Sequence, residues 1–296
     1  MFLDRGRSTV TNLLPDTRRL VVALMLAQAG TVQAWDDGTV PFVVSPEEVV
    51  DRMLRIAELR AEDYLLDLGS GDGRIVIEAA RRGARGLGVD IDSSLVARAR
   101  QNAARAGVAD RARFETRDLF ETDLSPASVI TLYLLPEVNL KLMPRLLALK
   151  PGTRVVSHDW DMGSWLPDET VELRIAEKPV GADLHSRIHL WVVPADARGS
   201  WTSEMPGYGG SWRFQIAQTL QVLDVSAQVA GIEMLVRGTR LRGSEIRMVL
   251  SGLVAGHAAH HLFRGVLRGD RIEGELTISD GEERRTMSWQ ATRTTK

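Results

Sequence analysis

The sequence predicts an α/β chain: a Rossmann-like doubly wound sheet over roughly residues 36–195, then a small antiparallel β-barrel or sandwich over 200–296. Three observations predict it. Short apolar runs alternate with helical stretches from Tyr64 to His158, which implies parallel strands covered on both faces. A glycine-rich turn joins the first of those strands to the helix behind it. From about Gly199 onward helical periodicity stops and β-type segments follow one another between turns.

The first 34 residues stand apart. Arg18 and Arg19 precede the apolar run Leu20–Ala27, and Val32-Gln33-Ala34 supplies a small-residue end, the layout of a secretory signal cut after Ala34. A bilayer span needs about 20 apolar residues, so no stable transmembrane span is expected once the signal is gone. Thr17-Arg18-Arg19-Leu20-Val21 also resembles a twin-arginine signal, the route for folded proteins. These residues predict a periplasmic or secreted protein; otherwise they are an extension on a cytoplasmic one.

Ser45 as cap, Pro46 at the first position and Glu48 as the capping-box acid predict a helix over 46–59. Strands follow at 64–68, 85–89, 111–115, 129–134 and 154–158, with helices at 74–82, 94–106 and 137–149 between them. Two further strands, near 171–177 and 186–193, finish the sheet as an edge hairpin. Ala195–Gly210, rich in Gly, Ser and Pro, reads as a linker. Beyond it, strands are expected at 212–223, 228–236, 245–250, 260–267, 271–278 and 285–292, with Trp201, Trp212 and Trp289 as core and rim.

Composition narrows the chemistry. The 296 residues contain no cysteine, which removes disulfides and thiolate chemistry, and a net charge of −2 calls for no nucleic-acid partner. His257, His260 and His261 lie close in sequence, but neighbouring strand residues face opposite ways and no acid completes a set, so no metal is expected.

The motif that carries chemistry is Asp67-Leu68-Gly69-Ser70-Gly71-Asp72-Gly73, at the end of a strand and the start of a helix. Its Gly-x-Gly-x-Gly spacing departs from the Gly-x-Gly-x-x-Gly of dinucleotide sites. Asp67 and Asp72 would repel a pyrophosphate at that helix end but attract a cation, and S-adenosylmethionine (SAM) carries a sulfonium and an ammonium. Asp90 ends the second strand where an acid takes ribose hydroxyls, and Asp118 follows the third, placed for the adenine amino group. An NAD-type oxidoreductase on the same sheet and a non-catalytic SAM-binding adaptor are the alternative readings.

With Val40-Pro41-Phe42-Val43-Val44-Ser45-Pro46, the glycine loop through Arg74-Ile75, and Leu134-Leu135-Pro136, the chain resembles class I SAM-dependent methyltransferases. Within them it is similar to the branch that includes the mitochondrial lysine methyltransferases of the ATP synthase c-subunit and the adenine nucleotide translocase. The likeness covers about residues 38–165 and implies that Asp67, Gly69, Gly71, Asp90 and Asp118 bind SAM and that the acceptor is a protein lysine. The N-terminal signal and the C-terminal β-domain have no counterpart in it.

On the acceptor side, Tyr133 and Pro136 stand at the end of the fourth strand, where such a sheet presents its second substrate, with Glu137 and Asn139 opening the next helix. Tyr133 reads either as a pocket wall or as a half-buried core residue. His158, in Ser157-His158-Asp159-Trp160-Asp161, reads either as a base or as a strand-end residue bonded to backbone.

Overall fold

The computed structural model describes residues 43–176, 184–281 and 283–295. The signal expected over 1–34, and Val40-Pro41-Phe42, lie outside the described residues.

The first half is built from α1 (Glu47–Ile56), β1 (Tyr64–Leu68), α2 (Arg74–Arg81), β2 (Arg85–Asp90), α3 (Ser93–Arg105), β3 (Ala112–Thr116), β4 (Val129–Leu132), α4 (Pro136–Leu147), β5 (Arg154–His158), β6 (Glu169–Arg174) and β7 (His185–Val192). The sheet order is β3-β2-β1-β4-β5-β7-β6, with β1 to β5 parallel and β7 antiparallel between β5 and β6. Strand order reverses between β1 and β4, which opens a crevice beyond their carboxyl ends. The period-two alternation of the strands feeds two cores: Leu65 and Val129 join α1, α2 and α3 on one face, while Leu66, Leu68, Ile130 and Leu132 meet Leu142 and Leu146 of α4 on the other.

The expected start of α1 needs correcting. Its N-cap is Pro46, no side chain caps it, and the Ser45 hydroxyl instead reaches His158 Nδ1 at 3.0 Å. The helix also ends sooner than residue 59, at Ile56, with Glu58 at φ 48° turning the chain toward β1.

The second half is a closed antiparallel barrel of β8 (Gly199–Met205), β9 (Gly210–Thr219), β10 (Val222–Val229), β11 (Ile232–Arg242), β12 (Glu245–Val254), β13 (His257–Arg268), β14 (Arg271–Ser279) and β15 (Arg284–Thr295). Of the two architectures expected, the barrel is the one formed, and β15 pairs with β8 to remove both edges. The expected linker is in part β8. Its inward positions Gly199, Trp201, Ser203 and Met205 are buried, so the segment is barrel wall although its Gly and Ser content reads as loop composition. The expected strands 212–223 and 228–236 are each broken by a tight turn, with Leu220 at φ 56° and Ala230 at φ 49°. Neither residue signals a turn by type. The interior is filled: Trp212, Phe214, Phe263 and Trp289 pack with ring centroids 4.9–6.3 Å apart, as eight strands allow.

Candidate active site

Gly69, Gly71 and Gly73 carry φ of 80°, 52° and 82°, a path that L side chains resist. A Cβ at Gly73 would lie 2.6 Å from the Phe114 ring and one at Gly69 2.8 Å from Leu134, so bare backbone lines the bend. The amides of Gly69 and Ser70 both donate to the Val89 carbonyl at 2.9 Å, and Gly71 N–H donates to Asp90 Oδ2 at 2.8 Å. The bend is thereby tied to the end of β2. The Ser70 hydroxyl is buried there without a hydrogen-bond partner among the described residues.

Asp67 is 2% exposed and, among the described residues, accepts its one hydrogen bond from Thr131 Oγ1 at 2.7 Å. Burial pushes its carboxyl up to about 7; Asp90 and Asp72 add to the rise, and the Thr131 hydroxyl opposes it. Asp90 is half-buried and accepts from Asp92 N–H through its second oxygen, at 3.0 Å. Asp118, also half-buried, accepts from Phe120 N–H at 2.7 Å. Three acids thus stand at or just past the carboxyl ends of three neighbouring parallel strands. Ile91 and Phe120, 64% and 40% exposed, stand beside Asp90 and Asp118 as apolar surfaces of the kind a purine covers. Sequence reading passed over both, since an exposed apolar residue is not distinguishable from a buried one by type.

Asp72 departs from that set. Burial works to raise it, but the Arg74 guanidinium grips both its oxygens, at 2.9 and 2.6 Å, and the net direction is down. Its charge is balanced within the loop, so the expected attraction of Asp72 for a cation is largely spent on Arg74.

Beyond β4, the Tyr133 ring is half-buried and lies on the His158 ring, centroids 4.0 Å apart. Burial, with Asp159 nearby, lifts its hydroxyl to about 12, so it stays a neutral phenol. Pro136 is the first residue of α4, with Leu135 as N-cap. Asn139 is fully buried one turn on, and its Nδ2 donates to Ser157 Oγ and to the Trp160 and Asp161 carbonyls at 3.3–3.4 Å. It pins the loop after β5 to α4. His158 is buried, and its ring nitrogens meet Ser45 Oγ and Ser186 Oγ, each at 3.0 Å. Asp159 follows with φ 62°, a left-handed conformation held by reciprocal bonds with Arg187, whose carbonyl accepts from Asp159 N–H at 2.7 Å and whose N–H donates to Asp159 Oδ1 at 2.9 Å.

The barrel histidines go separate ways. His261 is buried against Tyr208 Oη at 2.7 Å, and His260 faces out to Ser251 at 2.7 Å. Among the described residues no three His, Cys, Asp or Glu side chains group to hold a metal.

Comparison with known proteins bears on this geometry. Residues 67–169 match the ANTKMT methyltransferase domain family. The chain is 40% identical over 157 residues to a protein-lysine N-methyltransferase of Saccharolobus islandicus, covering 52% of this chain and 94% of that protein. It is 35% identical to the mouse lysine N-methyltransferase of the ATP synthase c-subunit over 44% of this chain, and there it spans 53% of the relative's length. A solved RNA methyltransferase of Salinibacter ruber, in complex with S-adenosyl-L-homocysteine (SAH), is 54% identical over 52% of this chain and 95% of its own, with a TM-score of 0.48.

A doubly wound sheet with an acid-flanked glycine bend at its switch point, in a chain with these relatives, is a class I SAM-dependent methyltransferase. Within that class the chain belongs to the family of the Saccharolobus islandicus protein-lysine N-methyltransferase, and over part of its length it is similar to the lysine N-methyltransferases of the ATP synthase c-subunit and of the adenine nucleotide translocase. Its cofactor is SAM, which the site fits: a nearly dry Asp67 carboxyl with no cationic side chain bonded to it among the described residues, a buried Ser70 hydroxyl without a partner among them, and a glycine bend.

Proposed function

We propose that this methyltransferase acts on the ε-amine of a lysine in a protein. The observation that carries the reading is the 40% identity to a protein-lysine N-methyltransferase along 94% of that relative. When bound, SAM supplies a methyl group on a positively charged sulfur that departs neutral. In this reading Asp67 answers the cofactor's positive charge, Asp90 binds its ribose hydroxyls and Asp118 its adenine amino group. The backbone bare of side chains at Gly69, Gly71 and Gly73, with the Ser70 hydroxyl beside it, gives the close approach, and Asp72 acts through Arg74 to hold the bend. Tyr133 and Pro136 wall the acceptor side.

The chain's own task is placement, and oriented pairs reach effective molarities of about 10⁵ to 10⁸ M. An acceptor lysine must be neutral, which from a usual value near 10.4 costs roughly 4–5 kcal/mol at pH 7. Turnover therefore rises with pH. Methyl-labelled SAM incubated with the protein and fractionated cell extract should label lysine in a polypeptide; label confined to RNA or small molecules removes the lysine reading.

We further propose export, on the strength of Arg18-Arg19, the apolar run and the small-residue end at Ala34. Fractionation with N-terminal sequencing tests it: a mature chain beginning at Trp35 outside the cytosol is expected, and an uncut chain in the cytosol defeats it.

A further inference from the structure

We propose that His158 is a positioning residue: it sets the Tyr133 ring on the acceptor side and ties that ring to the glycine bend. The inference rests on the reading of Tyr133 as the acceptor wall.

His158 ends β5 and is 1% exposed. Its Nδ1 meets Ser45 Oγ and its Nε2 meets Ser186 Oγ, each at 3.0 Å, and Asp159 Oδ2 lies 3.5 Å from Nε2. The serines come from distant segments, one just before α1 and one in β7, and both are buried. Because hydroxyls both donate and accept, they satisfy the neutral imidazole in either tautomer. Held at both nitrogens, the ring cannot turn. Tyr133 rests on it at 4.0 Å, so the orientation of the phenol is inherited from the imidazole.

The line continues in the other direction. The Ser45 carbonyl accepts from Arg74 Nη1 at 2.7 Å, and the same guanidinium holds both oxygens of Asp72 in the bend. Successive contacts therefore join the loop assigned to the cofactor with the ring assigned to the acceptor. Ser45 is used as a strut between them, which explains why it does not cap α1. Nothing in the arrangement asks the imidazole to take a proton from the acceptor, since both nitrogens are engaged inside the fold.

A double-mutant cycle on the full chain tests this, using His158→Asn, Tyr133→Ala and the pair, with methyl transfer from labelled SAM to cell-extract protein as the rate. His158→Asn is expected to lower turnover about ten- to a hundredfold, the scale of a misplaced reacting group. SAH affinity by calorimetry should stay within about twofold. The pair should be no slower than the worse single variant, and the pH–rate profile should keep its shape. Losses that multiply, or a pH limb that vanishes, overturn the positioning role. If Tyr133→Ala loses turnover while His158→Asn keeps it, the acceptor wall stands and the inference falls. A Tyr133→Ala variant with full turnover removes the wall itself. Should His158→Asn not fold, Ser45→Ala keeps the ring while freeing Nδ1, and the same cycle with Tyr133→Ala decides.

Discussion

The α/β half and the barrel use buried polar groups in opposite ways. In the first, Ser45, Asp67, Ser70, Thr131, Asn139, Ser157, His158 and Ser186 are all buried, and most of them face the crevice or brace what does. Among the described residues the barrel buries Ser203 and His261 as polar residues, and the rest of its core is apolar and aromatic. Buried polar atoms without a partner among the described residues occur in both halves, Ser70 Oγ and Asn139 Oδ1 in the first and Ser203 Oγ and His261 Nδ1 in the second, so the contrast lies in how many polar side chains are buried and bonded together, not in unpaired ones. The difference separates a half organised around a ligand from one organised around its own packing.

The comparison breaks most readily at the barrel core. Trp212 is fully buried between Phe214 and Phe263. Trp212→Ala should cost about 3–5 kcal/mol of stability. If the barrel only supports, SAH affinity measured below the melting temperature stays within about twofold. A matching fall in affinity would show that the cofactor site depends on barrel packing.

The reverse experiment is Asp90→Ala. The carboxylate accepts from Gly71 N–H and Asp92 N–H, so its loss releases the bend and removes the acid expected at the ribose. SAH binding should weaken roughly 10- to 150-fold, the equivalent of about 1.5–3 kcal/mol for a hydrogen bond to a charged group. Because Asp90 is only half-buried and the released amides can turn to water, the melting temperature should drop by no more than a few degrees. A strongly destabilised variant would mean that Asp90 belongs to the fold more than to the ligand.

Asp67 sharpens the contrast, because its carboxyl near 7 is a property of a group buried away from water. A cation beside it favours the ionised form, so binding SAM pulls its value down and releases a proton. Below about pH 7 affinity should fall by up to tenfold per pH unit, and calorimetry in buffers of different ionisation heat should count a proton released that vanishes above pH 8. Asp67→Asn should abolish that proton. Proton release unchanged in the variant would place the titrating group elsewhere.

Much of this was legible in the residues. Asp67, Asp90 and Asp118 could be placed at neighbouring strand ends because each lies at or just past the end of a short strand-like segment in an alternation of strands and helices, and the carboxyl ends of parallel strands lie on one side of the sheet. Asp72 was legible as an acid but not as a paired one, since nothing in sequence says that Arg74 folds back on it. Ser45 had every local mark of a helix cap and lost that role to His158, a partner 113 residues away. β8 was hidden by its Gly and Ser content, and the turns at Leu220 and Ala230 by residue types that rarely take positive φ. Local patterns were overridden where a distant contact outweighed them.

The smallest effect expected is a cancellation. Folded Asp67 keeps its proton up to about 7, whereas the usual value is 3.8, so acidification across that window favours the folded state. Burial pushes folded His261 down to about 4 from the usual 6.5, so the unfolded chain takes up a proton first and acidification favours unfolding. The two terms overlap between about pH 4 and 6.5 with opposite sign, so their joint contribution to stability is nearly level there. Removing either should expose the other. Relative to wild type at the same pH, where the remaining carboxylates cancel, Asp67→Asn should lose melting temperature between pH 6.5 and 4.5 and His261→Gln should gain it. Slopes of the same sign in both variants would mean that the two halves do not divide buried charge in the way their cores suggest.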